Sequence, residues 1–416
     1  MGKFDRLFGN DAAAISEKKQ ARHGRAEDAV RDLPDGEWVA DGVYRTETRY
    51  WAQEAYGRAA IGNPDRMEVM RHLGAKGSVV FLDLETTGLS GGTGTYAFLC
   101  GLGTTSGEYF KVAQYFLKSP AYEAQWLDAI NSGIPEGATL ATYNGRSFDI
   151  PILLTRHILA RRRPHWESFP HIDLLHISRR LYRGYLESCS LGSVEKHVLG
   201  VKRSGEDIPG SMIPGLYLQY LHSGDASSLR GVFYHNRLDI ASLASLYCHA
   251  SRALCGESSD GRELLRAGDI WLRMGRNERA SSLWGMAMDS GDPASRVHAT
   301  LRAAHFAKKN QDYETARKYF ARALAEIGHR QSARTAGGAA AGALEELAKL
   351  EEHRFMSPAR ALDHVNEALR VLKSERLYGG SSANIAMIRS MEHRKARLEK
   401  KIRPPGNGTG TEKNAG

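Results

Sequence analysis

The sequence predicts an α/β domain built on a mixed sheet flanked by helices, followed by an all-α domain of helical hairpins. Three observations carry this reading. Apolar, β-branched and aromatic runs separated by glycine fill residues 78–117. Strand and helix patterns then alternate, which calls for crossover helices covering a sheet. Beyond about residue 260 the composition shifts to Ala, Arg, Leu and Glu with apolar residues at helical spacing. At 416 residues the chain is longer than one hydrophobic core usually serves, so at least two folded units are expected.

The stretch 1–75 is polar and weakly periodic and reads as an extension, with Trp38, Trp51 and Tyr56 as anchors onto a neighbouring domain. The α/β domain is expected over 76–255. Its first three strands are SVVFLDLET (78–86), TYAFLCGLGT (95–104) and YFKVAQYFL (109–117), and the short links between them predict antiparallel pairing. A helix follows Pro120 through Ile130, then a strand ATLATYN (138–144) and a helix from near Ser147 through IPILLTRHILARR. From His171 to Leu254 the pattern is mostly helical.

The all-α domain is expected over 260–400. RAGDIWLRMGRNERASSLWGMAMDSGD and RAAHFAKKNQDYETARKYFARALAEIG are alike, each two helices around a polar turn, and they recur at about the tetratricopeptide period of 34 residues. A third, looser pair falls between Ala343 and Lys373. The tail 403–416, RPPGNGTGTEKNAG, has no apolar content to bury and is expected to be disordered.

Composition narrows the function. The net charge of +9 favours a polyanionic partner. No apolar run approaches the roughly 20 residues that cross a bilayer, and the start lacks the apolar centre of a secretory signal. Cys100, Cys189, Cys248 and Cys255 form no CxxC pair and read as packed interior, so a cytoplasmic protein with no membrane association is expected. GGTGTYAF (91–98) lacks the GK[ST] ending of a phosphate-binding loop, and His157, His165, His171 and His176 lack zinc-site spacing.

Asp83 and Glu85 stand two apart near the end of a strand, so both carboxylates leave one face. Hard cations such as Mg²⁺ and Mn²⁺ take such oxygens, and two of them roughly 3.5–4 Å apart stabilise both the attacking and leaving oxygens of phosphodiester hydrolysis. A strand that merely ends in surface charge reads the same way. Asp149 in TYNGRSFDIP either joins that pair or caps the following helix. Asn144 and Gly145 suit a turn there, and Arg146 suits a phosphate. His235 and Asp239 in YHNRLD share a helix face, which suits a general base beside a carboxylate or a plain polar stripe. Thr86, Thr87 and Gly88 could let a substrate backbone approach. Arg156, Arg161, Arg162, Arg163, Arg179, Arg180 and Arg183, with Trp166 and Tyr182, form a basic stretch open to phosphate contact or plain solvation. Asp173 is an auxiliary polar candidate near the cleft.

FLDLETTGL, TYNGRSFD and YHNRLD together resemble the three exonuclease motifs of the DEDD, or DnaQ-like, superfamily of ribonuclease H-like fold. HIDLLHISRRLYR, CSLGSVEKHVLGVKRSGEDIPG and the helical C-terminus extend the likeness to bacterial proteins with a predicted exonuclease domain and a tetratricopeptide-like region. That resemblance implies Asp83, Glu85, Asp149 and Asp239 as ligands of two divalent cations, Mg²⁺ or Mn²⁺, with His235 as general base. In the superfamily a Tyr stands three residues clear of the last Asp, or a His four clear; here His235 holds the Tyr position and Tyr234 the His position. The implied activity is 3′–5′ exonucleolytic hydrolysis of single-stranded DNA or RNA. Two alternatives stand beside it: a nucleic-acid-binding scaffold with a weak or inactive nuclease site whose helical repeat recruits a protein partner, and an endonuclease on RNA–DNA hybrids.

Overall fold

The apolar runs form strands where the pattern places them. In the computed structural model, which describes residues 32–88, 94–204, 207–328, 336–376 and 382–403, β5 spans Val79–Thr86, β6 Ala97–Ser106 and β7 Tyr109–Leu117. They pair antiparallel in chain order. The strand β8 (Thr139–Thr142) joins β5 in parallel and β9 (His171–Asp173) joins β8 in parallel. The sheet is therefore mixed. Between the strands lie α1 (Glu123–Gly133) and α2 (Asp149–Leu159), and α3 (Leu174–Tyr182) follows β9.

The sheet begins earlier than the sequence pattern suggests. In the stretch read as a polar extension, β1 (Gly36–Ala40) and β2 (Val43–Trp51) add to the far side of β7, giving the order β1-β2-β7-β6-β5-β8-β9. All nine residues of β2 pair with β7. A small ladder, β3 (Ala55–Tyr56) with β4 (Ala59–Ala60), follows. Of the three aromatic residues expected to anchor this stretch, Tyr56 is buried and donates to the Leu238 carbonyl at 3.0 Å, whereas Trp38 and Trp51 are exposed.

One core holds the domain together. Residues of β5, β6 and β7 are buried on both faces, which is why they read as continuous apolar runs and not as alternation. The long helix α5 (Leu229–Cys255), preceded by α4 (Ile213–Ser223), lies against the sheet. Phe81 meets Tyr247 edge to face at 5.6 Å, and Phe116 packs on Phe233. Its closest approach is over β6. A Cβ on Gly101 would lie 2.4 Å from Asn236 Oδ1 and 2.8 Å from Ile240, and one on Gly103 would lie 2.6 Å from Ile240. Gly101→Ala is thus expected to destabilise the domain by about 1–3 kcal/mol, read as a lower melting temperature; an unchanged melt would mean that α5 has room to retreat.

The chain divides into two compact units, Met1–Cys255 and Gly256–Gly416. The second is helical throughout its described residues: α6 (Gly261–Arg273), α7 (Asn277–Met288), α8 (Pro293–Lys309), α9 (Tyr313–Gly328), α10 (Ala336–His353), α11 (Pro358–Arg376) and α12 (Ser382–Ile402). Gly275 and Gln311, at φ of 72° and 64°, make the two polar turns seen in the sequence. Trp271, Trp284 and Phe320 fill its interior. The tail beyond residue 403 and residues 91–93 of the glycine-rich segment lie outside the described residues.

Candidate active site

Asp83 and Glu85 leave the same face of β5 near its end, as the two-residue period requires. Asp149 is brought to them by the parallel step from β5 to β8 and the turn after it. That turn is built with care. Asn144 adopts a left-handed φ of 62°, and Asp173 at the end of β9 accepts the backbone N–H groups of Asn144 (2.9 Å) and Arg146 (3.2 Å) while also capping α3 through Leu175. A Cβ on Gly145 would lie 2.8 Å from an Asp149 carboxylate oxygen, so glycine there leaves the carboxylate its space. Asp149 is the first residue of α2, and Phe148 precedes it with no side-chain cap. The capping role open to Asp149 in the sequence is not the one it plays.

Asp239 comes from α5, the helix seated on β6. Asn236, one turn earlier and fully buried, donates to Asp83 Oδ2 at 2.9 Å and to the Asp83 carbonyl at 3.3 Å. Gln114 of β7 donates to Asn236 at 3.0 Å, and Thr46 of β2 donates to Gln114 at 3.1 Å. A buried chain of hydrogen bonds from β2 and β7, across β6, thus fixes the orientation of Asp83.

The electrostatics of the four acids agree with their proximity. Burial, then the charges of Asp239 and Asp149, push the Asp83 carboxyl well above its usual range. Burial followed by Asp83, Asp239 and Asp149 does the same to Glu85. Asp149 is pushed up to about 7, chiefly by burial and then by Asp173 and Asp239, against the pull of backbone N–H groups. Burial also raises Asp239, although Arg203 and His235 draw it down. Such a group is short of positive charge, and a hard divalent cation suits its all-oxygen donor set. As the side chains stand, no three acids or imidazoles among the described residues converge in ligand geometry. Arg203 instead forms an ion pair with Asp239.

His235 and Tyr234 part company. His235 donates from Nδ1 to Asp207 at 2.7 Å, since a carboxylate only accepts, and Nε2 lies 3.6 Å from Asp239. Tyr234 accepts from Ser204 at 2.7 Å and lines a different cleft with Thr46, Glu47 and Arg230. Sequence reasoning passed over Asn236, Asp207, Glu195 and Arg203; the acid and base of the last two, eight residues apart, gave a faint signal only.

Other expected contacts resolve differently. Thr86 donates to the Gly88 carbonyl at 2.8 Å and the Thr87 hydroxyl accepts from Tyr96 N at 3.0 Å, so both are engaged in their own turn. Arg146 and Asn144 are exposed, and Arg146 donates to the His171 carbonyl at 2.7 Å. In the basic stretch Arg156 is buried in a two-pronged pair with Glu123 at 2.5 and 2.6 Å, and Trp166 and Tyr182 are buried, so none of these three is a platform for a nucleic acid. Arg162 pairs with Asp128 at 3.0 Å. Cys100 and Cys248 are buried as expected, but Cys189 is half-buried and Cys255 exposed.

With this geometry in place, comparison with known proteins is decisive for one region. Residues 80–251 match the family model of the RNase_H superfamily. The fold of this region, a mixed sheet flanked by helices, is RNase H-like. The chain is also similar to the protein of Bacillus subtilis (strain 168) named Uncharacterized protein YprB, at 40% identity over 189 residues. That alignment covers 45% of either chain, so the chain spans less than half of this relative's length. The mixed sheet is followed by a helical C-terminal region, and proteins of the RNase H-like superfamily generally hydrolyse phosphodiester bonds, typically with divalent metal ions. No helix among the described residues is long and apolar enough to cross a membrane.

Proposed function

We infer that the chain is a metal-dependent 3′–5′ exonuclease of the DEDD type acting on single-stranded DNA or RNA. What supports this reading is the all-oxygen donor set of Asp83 and Glu85 on β5, Asp149 at the start of α2 and Asp239 on α5, with buried Asn236, one turn before Asp239, donating to Asp83. These four would hold two divalent cations, Mg²⁺ or Mn²⁺. Bound there, the cations would supply Lewis-acid polarisation of the phosphodiester and an acidified water.

The chain's own residues do the rest. Asn236 aims the Asp83 carboxylate through a bond that in turn rests on Gln114. Asp207 holds the proton on His235 Nδ1, which leaves the Nε2 lone pair free to accept a proton on the side of Asp239. His235 is therefore the better base than Tyr234, whose hydroxyl belongs to another cleft. The second unit, with paired helices at tetratricopeptide-like spacing, would recruit a protein partner.

The Arg203–Asp239 ion pair favours a second reading, a nucleic-acid-binding scaffold whose nuclease site is closed. One assay separates the two. The protein is incubated with single-stranded DNA, single-stranded RNA and an RNA–DNA hybrid labelled at the 5′ end, with and without Mn²⁺, and the products are resolved by length. A ladder shortening from the 3′ end only with Mn²⁺ is expected. Intact strands that nonetheless bind would sink the exonuclease in favour of the scaffold, and internal cuts confined to RNA–DNA hybrids would replace it with an endonuclease.

A further inference from the structure

The stretch from Cys189 to Gly210 is distinctive in sequence, and only its Asp207 has been given a part in the chemistry just described. Its centre is Arg203. The guanidinium donates from Nε to one oxygen of Glu195 at 2.9 Å and from a terminal nitrogen to the other at 2.6 Å, a two-pronged geometry that only Arg offers. Glu195 is itself fixed: 2% exposed, it also accepts from Ser242 of α5 at 2.5 Å, and Ser242 is bonded to the Tyr56 hydroxyl at 2.7 Å. The wide helical turn Glu195–Leu199 ends at Gly200, with φ 68°, which returns the chain toward Arg203.

Two of five guanidinium N–H groups serve Glu195, and the others are directed at the site. One terminal nitrogen reaches Asp239; the other lies 3.4 Å from Asp207 and 3.2 Å from His235 Nδ1. Arg203 thus bridges a buried anchor, Glu195, and one carboxylate of the four, Asp239. It also opens onto a cleft of about 910 Å³, shared with His235 and Asp239, whose rim carries the exposed cations Arg58, Lys196 and Lys202. Gly192 and Gly210 border that cleft, Gly192 with open space where a side chain would stand and Gly210 beside His235 Nε2. A positively charged trough with bare backbone in its wall suits a phosphodiester strand.

We propose that Arg203 is a phosphate-binding residue of this site: anchored on Glu195, it pairs with Asp239 in the cation-free protein, competes with a divalent cation for that carboxylate, and offers the N–H groups so released to a substrate phosphate. The proposal rests on the nuclease reading for the identity of the substrate, though not for the competition. Glu195 is what lets one side chain do both. Arg203 keeps its place and its charge whether or not Asp239 is its partner.

The test uses the full chain and two readouts besides turnover. Mn²⁺ binding is followed by titration calorimetry, and binding of a phosphorothioate oligonucleotide by fluorescence anisotropy in Mn²⁺ at several salt concentrations. Arg203→Gln should tighten Mn²⁺ binding about fivefold or more by removing a competing cation, weaken the oligonucleotide about tenfold, and lower its salt slope by about one. Arg203→Lys should keep the salt slope but recover only part of the affinity. Should Arg203→Gln fail to fold because Glu195 is left buried and unpaired, the Glu195→Gln/Arg203→Gln variant removes both charges and serves in its place. Unchanged or weaker Mn²⁺ binding, or an oligonucleotide affinity and salt slope equal to the parent's, would overturn the proposal. A parent chain that degrades nothing while Arg203→Gln tightens Mn²⁺ binding and weakens the oligonucleotide would instead end the exonuclease reading and leave Arg203's role standing.

Discussion

Asp83→Asn is expected to cut Mn²⁺-dependent degradation by roughly a thousandfold or more while the domain stays folded. The substitution keeps shape and removes charge. Asn236 donates to Asp83 Oδ2 at 2.9 Å, and an amide oxygen at residue 83 can accept that bond just as well. Burial and the charges of Asp239 and Asp149 make an ionised Asp83 costly in the cation-free protein, so its loss should leave the melting temperature unchanged or higher. Initial rates on an end-labelled strand, with a melt of each protein in chelator, check both halves. Degradation at the parent rate would remove Asp83 from the reaction, whereas a lowered melting temperature would make it a structural residue.

The second large effect concerns pH. In chelator, Asp149 is held up to about 7, whereas in the unfolded chain its carboxyl returns to 3.8. Between those values the folded protein keeps a proton that the unfolded chain has released, so the folded state loses ground as pH rises through that window. The contribution is on the order of 4 kcal/mol from about pH 4 to about pH 7. Asp149→Asn carries no such proton and should flatten the slope of stability against pH relative to the parent. Added Mn²⁺ should lift the parent's melting temperature most at neutral pH, because that is where the carboxylates most need a counter-charge. Denaturant melts of both proteins at four pH values would show it, and parallel slopes would mean that Asp149 is not held up.

The parts of this protein that could be read in its sequence are those whose signal is local. β5, β6 and β7 announced themselves because strands buried on both faces need unbroken apolar runs, and the Asp83–Glu85 pair because a strand repeats every two residues. β2 escaped notice for the opposite reason. Its sequence VYRTETRYW is largely polar and half-exposed, and only the pairing with β7 makes it a strand. β9 is three residues long, too short for any period. The basic stretch misled because charge says nothing about burial: Arg156 looks like its neighbours but is matched by Glu123, thirty-three positions away. Asn236 and Arg203 act on residues far off in the chain, Asp83 and Asp239, and their roles exist only in three dimensions.

The attachment of β1 and β2 to β7 also bears on which edge of the sheet is left open. Family likeness begins at residue 80, well after these strands. A chain begun there would leave all nine residues of β7 as a bare edge, Tyr109–Leu117, rich in aromatic and branched side chains. Such an edge invites pairing with a second molecule and, beyond that, fibrillar stacking. In the full chain β2 covers it. The outermost strand is instead β1, five residues interrupted by an irregularity between Trp38 and Ala40, a short and uneven border that offers a neighbouring molecule little to add to.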